Sequence, residues 1–144
     1  MKKLIFFILI SGILINPIFS QKVTKTLSEA KFGVMECKNK MDIDVTNNDT
    51  TYFVTNYFQN EHYTTIIDRG SLFFMRKEKL EKTIKEIEMC LPYMDVKTDE
   101  FSVGDFRVSS KFKYLFISDD DKYCTMSKKH VIKWLEWLKQ TKLP

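Results

Sequence analysis

The sequence predicts an α+β fold, a mainly antiparallel sheet with two amphipathic helices on one of its faces. Three observations predict it. Short runs rich in Thr, Val, Tyr and Phe alternate with turn residues, as the strands of an antiparallel meander do. Two later segments place apolar residues at helical spacing among Lys and Glu. The order strand, turn, short strand, helix then occurs twice, which predicts a duplicated strand-strand-helix unit.

Residues 21–31 are polar and predict a short helix or a loose arm, so residues 21–33 are set apart as an N-terminal arm and residues 34–144 as a single α+β domain. Val34, Met35, Glu36 and Cys37 alternate apolar and polar, and so do Asp42, Ile43, Asp44 and Val45, the pattern of half-buried strands. Asn47, Asn48 and Asp49 supply a turn. Residues 51–59 predict a strand, Asn60 and Glu61 a turn, and residues 63–67 the returning partner. Asp68, Arg69 and Gly70 predict a second turn with Gly70 at positive φ, before a short strand at 71–74.

Leu80, Ile84, Ile87 and Leu91 then share one helical face, and Pro92 marks the stop. Glu78 with Lys82 and Glu81 with Lys85 predict i,i+4 pairs. Residues 101–108 and 111–117 predict strands joined by Ser109 and Ser110, followed by a turn at Asp119, Asp120 and Asp121 and a short strand at 122–125. Ser127 is a good N-cap for a closing helix whose apolar face is Val131, Trp134, Leu135 and Leu138. A shift of 51 positions lays Tyr63 on Tyr114, Asp68 on Asp119, Leu80 on Val131 and Ile87 on Leu138, and repeat units are expected at about residues 51–92 and 101–142. In element order this resembles, in outline, the whirly-type folds that bind single-stranded nucleic acid. The likeness is of element order alone, and no residue or function is carried over from it.

Residues 1–20 carry the address. Lys2 and Lys3 precede an apolar run, Asn16 and Pro17 break it, and Ser20 offers a small residue before Gln21. That order predicts a secretory signal peptide and a secreted or periplasmic protein. The run is too short for a membrane span of roughly 20 apolar residues, so no stable span is expected after cleavage. Losing Lys2 and Lys3 takes the formal charge from +4 to +2. So small a charge gives no long-range field toward nucleic acid, and no nucleic-acid partner is expected.

No catalytic or metal constellation can be assembled, and no cofactor is expected. His62 and His130 lack a second ligand at metal spacing and read as surface histidines. The run Asp119, Asp120, Asp121 has neither the spacers nor the Gly of a calcium loop and reads as a solvated turn. Asp42 and Asp44 share one side of a strand, which suits paired carboxylates less well than an exposed edge. Cys37, Cys90 and Cys124 allow one disulfide with one thiol left over, or three small buried hydrophobes. Asn48, Asp49 and Thr50 form a glycosylation triplet of a kind common by chance.

Aromatic faces are the remaining lead. Phe112, Tyr114 and Phe116 alternate with Leu115 and Ile117, and Phe53 and Tyr57 with Val54 and Phe58. With Leu115 and Ile117 under the helices, the aromatic set is left bare unless the sheet curls or residues 21–45 cover it. Trp137 lies off the Val131–Leu138 stripe, either packed on Trp134 and His130 or free to anchor a partner. The candidate interaction face is therefore Phe53, Tyr57, Phe112, Tyr114, Phe116 and Trp137. The function expected is a small secreted non-catalytic binding or interaction domain, with self-association or a protein partner. The alternative is a small cell-envelope enzyme or enzyme inhibitor with dispersed site residues.

Overall fold

The computed structural model describes residues 22–63, 67–96, 101–109 and 113–144. Residues 1–20, where a signal peptide is expected, and the candidate Phe112 lie outside the described residues. Four strands, β1 (Lys22–Phe32), β2 (Met35–Asp44), β3 (Asp49–Gln59) and β4 (Arg69–Phe74), form an antiparallel sheet in chain order. Helix α1 (Lys77–Cys90) follows, closed by a 3₁₀ turn over Leu91–Met94 that contains Pro92. A second antiparallel sheet of β5 (Phe101–Val103), β6 (Phe106–Ser109), β7 (Tyr114–Asp119) and β8 (Lys122–Ser127) leads into α2 (Lys128–Gln140).

The fold is α+β with antiparallel strands, and the strands divide into two sheets. Each strand pairs with its neighbour in sequence, so each open sheet of four strands is complete before its helix begins. The repeated unit is four strands and a helix, longer than a strand-strand-helix unit. Gly33 and Gly104 mark equivalent first turns, both at positive φ (61° and 56°), where glycine avoids the Cβ clash. Those two lie 71 positions apart, whereas the buried helix residues Leu80 and Val131, or Ile87 and Leu138, lie 51 apart. Residues 60–68 join β3 to β4, but Asp120 and Asp121 alone join β7 to β8, so a single shift aligns only the helices.

Several elements depart from the sequence reading. Residues 22–32 form neither a helix nor a loose arm but the edge strand β1; most of its residues are exposed, so no apolar alternation marked it. Tyr63 and Ile67 are not in a strand, because β4 is the partner of β3. Gly70 sits inside β4 opposite Phe58, and a Cβ there would stand 2.2 Å from the Phe58 ring. Close approach of that ring, not positive φ, is what requires glycine. Residues 101–108 are a hairpin bent at Gly104. On α1 the ion pairs are Lys77–Glu81 and Lys82–Glu86, one step from the pairs expected.

The core lies between the sheets and the helices, and Trp134 occupies its centre. Its side chain is fully buried, and its Nε1–H donates to Asn56 Oδ1 of β3 at 3.0 Å. Asn56, itself wholly buried, donates through Nδ2 to the Leu72 carbonyl of β4 at 3.4 Å. The indole also meets Phe106 of β6, with ring centroids 6.3 Å apart. One side chain thus joins α2 to both sheets.

A second fastening joins the sheets at one end. Asn60 is buried and donates through Nδ2 to Asp68 Oδ2 at 2.9 Å, while its Oδ1 accepts from Tyr123 N at 3.3 Å. Glu61 N donates to the Tyr123 carbonyl, and the Glu61 carboxylate accepts from Thr125 N at 2.8 Å. Ser71 N donates to Asp119 Oδ2, and Lys122 Nζ donates to the Arg69 carbonyl and pairs with Asp68 at 3.0 Å. The segment after β3 therefore lies along β8 and satisfies backbone groups of that strand which would otherwise be open to another chain.

Replacing Trp134 tests the central link. Trp134→Ala removes the largest buried side chain and strands Asn56 Oδ1, so the expected loss is on the order of 3–5 kcal/mol in urea unfolding. A loss below about 1 kcal/mol would show that the indole does not organise the core.

Candidate functional site

The outer faces of the two sheets follow from strand alternation. In β3, Val54, Asn56 and Phe58 point into the core, leaving Phe53 and Tyr57 on the opposite, half-buried side. In β7, Leu115 and Ile117 are fully buried, so Tyr114 and Phe116 face outward, with Tyr114 42% exposed. The alternation expected for both strands is present. The candidates are not brought to one surface, however: Phe53 and Tyr57 lie on the first sheet, Tyr114 and Phe116 on the second. Trp137 is half-buried on α2 and packs on Phe32 of β1 at 6.5 Å, away from both faces.

On the first sheet Phe53 meets Phe73 of β4, with ring centroids 5.5 Å apart, and Phe73 is 41% exposed. The register sets Lys40 beside Phe53 and Glu36 beside Tyr57. At one end of this face a cleft of about 310 Å³ is lined by Lys31, Gly33, Glu36, Tyr57 and Arg69 among others. Glu36 is held there between Lys31 at 3.4 Å and Arg69 at 4.0 Å.

On the second sheet the register runs Ser102, Arg107, Phe116, Thr125 across four strands. The Arg107 guanidinium lies over the Phe116 ring at 4.9 Å, and Phe116 approaches Tyr123 at 6.4 Å. These residues border a cleft of about 370 Å³ that reaches Asp105, Asp120 and Asp121 at the turns. Phe73, Arg107 and Tyr123 were missed in the sequence. A usable signal was there for Arg107, a cation between Phe106 and Val108, which marks an outward position in a strand.

Asp42, Asp44 and His130, singled out in the sequence, are engaged structurally. Asp42 accepts from Thr24 Oγ1 at 2.7 Å and pairs with Lys22 at 3.0 Å; that hydroxyl, then the lysine, holds its carboxyl below the usual carboxylate range. Asp44 instead closes the β2–β3 turn, accepting from Thr46 N and Asn47 N, so the two carboxylates do not act as a pair. Ser127 Oγ lies 3.2 Å from His130 Nδ1 at the start of α2. The imidazole packs beneath Gly33, where a Cβ would stand 2.8 Å from Nδ1, so the ring is held as a filler between β1, β2 and α2. Among the described residues no group of three or more His, Cys, Asp or Glu side chains is placed to hold a metal ion, and no helix is long and apolar enough to cross a membrane.

Cys37, Cys90 and Cys124 are free thiols, each at most 1% exposed, and no disulfide joins any two of them. Burial raises all three above the ordinary thiol value of 9.0: Cys37 to about 12, offset in part by the Trp134 indole, Cys90 to about 11 with help from Glu86, and Cys124 further still. Thiols so protonated and enclosed are poor nucleophiles. No protein-family model, curated protein or solved structure matches the chain.

The thiols carry a pH prediction. Each keeps its proton in the fold to a higher pH than in the unfolded chain, so their contribution is complete below about pH 9 and is lost as pH rises through the folded values. Urea stability should therefore fall between about pH 9 and 11, and fall less in Cys124→Ala than in the parent. A thiol reagent at pH 8 should label none of the three before denaturation and all of them after it.

Proposed function

We propose that the protein is an exported, non-catalytic interaction domain that associates with itself or with a protein partner through the outer face of its first sheet. The observation that carries this is the Phe53–Phe73 pair, set on a sheet face that no helix covers, with Phe73 41% exposed. Water gains nothing by wetting such rings. Phe53 is already half-buried and Phe73 41% exposed, so covering each on association would contribute on the order of 1 kcal/mol, and aromatic residues are enriched where protein surfaces meet. Lys38, Lys40 and Glu36 on β2 surround the pair with charge, the arrangement of an apolar centre within a polar rim.

Export is supported by the charge, apolar run, breaker and small residue of positions 1–20. Mass spectrometry of protein recovered from outside the cytoplasm should show a chain beginning at Gln21. A chain retaining Met1 would remove the exported compartment from the proposal.

Sedimentation velocity tests the face. The parent should sediment as a dimer at tens of micromolar, and Phe73→Glu, at a position already open to solvent, should return it to a monomer without loss of helical signal. A parent that stays monomeric across that range would overturn self-association. A dimer that persists in both Phe73→Glu and Phe53→Glu would move the contact off this face.

A further inference from the structure

With cleavage after Ser20, Gln21 becomes the first residue of the exported chain, and the site described here rests on that export reading. A glutamine in that place carries its own electrophile, because its α-nitrogen and its side-chain Cδ can close a five-membered ring. The described structure begins at Lys22 and shows what that end of the sheet offers. Lys22 stands opposite Asp44 in the β1–β2 register, residues 22–29 are all exposed, and the Lys22 side chain is 62% open to water. Two carboxylates of β2 lie at this end, and both oxygens of each already have donors. Asp42 accepts from Thr24 Oγ1 at 2.7 Å and pairs with Lys22 at 3.0 Å, while Asp44 accepts from Thr46 N, Asn47 N and Asn47 Nδ2. An α-amine held by a carboxylate keeps its proton, and its lone pair is not free to react. Here the carboxylates of that end are engaged by other groups. An α-amine of ordinary basicity is then neutral in roughly a tenth of molecules at pH 7.

We propose that Gln21 is a modification site and that the exported chain is closed at its amino end as pyroglutamate. The neutral α-amine attacks Cδ of its own side chain. The N–Cδ bond forms, the Cδ–Nε2 bond breaks, and Nε2 leaves as ammonia with one proton taken from the amine. Nothing is oxidised or reduced, and no co-reactant enters. A cyclase outside the cytoplasm would accelerate the same step without changing its balance. The product is a neutral lactam, so the terminal positive charge ahead of Lys22 is lost. It also leaves an aminopeptidase no α-amine to hold. That protection falls where the fold gives least, since chain ends are where proteolysis concentrates. Strand β1 is exposed along most of its length and, among the described residues, pairs with β2 alone.

The test uses protein recovered from outside the cytoplasm, read by intact mass and by reductive dimethylation of free amines before digestion. The predominant form should be lighter by one ammonia than residues 21–144. Its first peptide should carry label on the Lys22 side chain and none on the α-nitrogen. Labelling first means that a ring closed during later handling is scored as a free amine. Gln21→Ala leaves residues 1–20 unchanged, and it should keep its full mass and take the α-label. Pyroglutamyl aminopeptidase should remove one residue from the parent and none from the variant. A predominant chain that begins at Gln21 with its full mass and a labelled α-nitrogen would overturn the modification and leave export standing. A chain that retains Met1 would remove export, and the ring with it.

Discussion

The rest of the structure depends on a single buried polar contact, the hydrogen bond from the Trp134 indole to Asn56. An indole N–H and a side-chain amide both lose water on entering the core, and either one alone would be left costly. Together they satisfy each other, and Asn56 passes its remaining donor to the Leu72 carbonyl. The contact selects one arrangement from many, because a purely apolar interface between a helix and two sheets could slide. Here α2 can take only the position that brings Nε1 to Asn56. At the equivalent position of α1 stands Thr83, and at the position of β7 that corresponds to Asn56 of β3 stands the apolar Leu115. The two halves of the molecule share a scaffold but not this link.

Edges pose the next problem for two small open sheets. Among the described residues the outer edge of β8 has no strand beside it, and the segment following β3 answers this with Asn60 and Glu61. Because Asn60 is buried and its amide is divided between Asp68 and Tyr123, the segment is anchored rather than draped. The first sheet treats its edge differently. Strand β1 carries Lys22, Lys25 and Lys31, and its register slips between Thr26 and Ser28. Lysines and bulges on an edge both discourage pairing with another chain. Both devices make these two edges poor templates for an added strand.

Four antiparallel strands followed by a helix occur twice, and the two sheets present different outer faces. Equivalent outward positions hold Glu36 and Arg107, Tyr57 and Phe116, Arg69 and Tyr123. Backbone geometry is held by the turn glycines and by the buried partners, so the outward side chains are free to differ. One face carries an aromatic pair with ion pairs at its end, and the other a stacked guanidinium with acidic turns.

The sequence by itself determined the elements whose burial is periodic. Both helices, the buried stripe of α2, the stop near Pro92, the antiparallel α+β class and the outward direction of Phe53, Tyr57, Tyr114 and Phe116 were all legible, because alternation and 3.6-residue spacing are local records of which side meets the core; the stripe of α1 was legible only in part, since Thr83 and Cys90 are buried where Ile84 and Leu91 are partly so. Strand β1 was not legible, since an exposed edge strand buries nothing that could write such a pattern. The need for Gly70 was misread for a related reason, because Phe58, the ring that excludes a Cβ there, comes from another strand. Tertiary structure alone decided the split into two sheets, the separation of the aromatic candidates between them, the burial of three free thiols and the pairing of Trp134 with Asn56. Each of these depends on which distant residues meet. Contacts such as 56 with 134 or 61 with 125 join positions that share no local spacing, so only the folded chain specifies them.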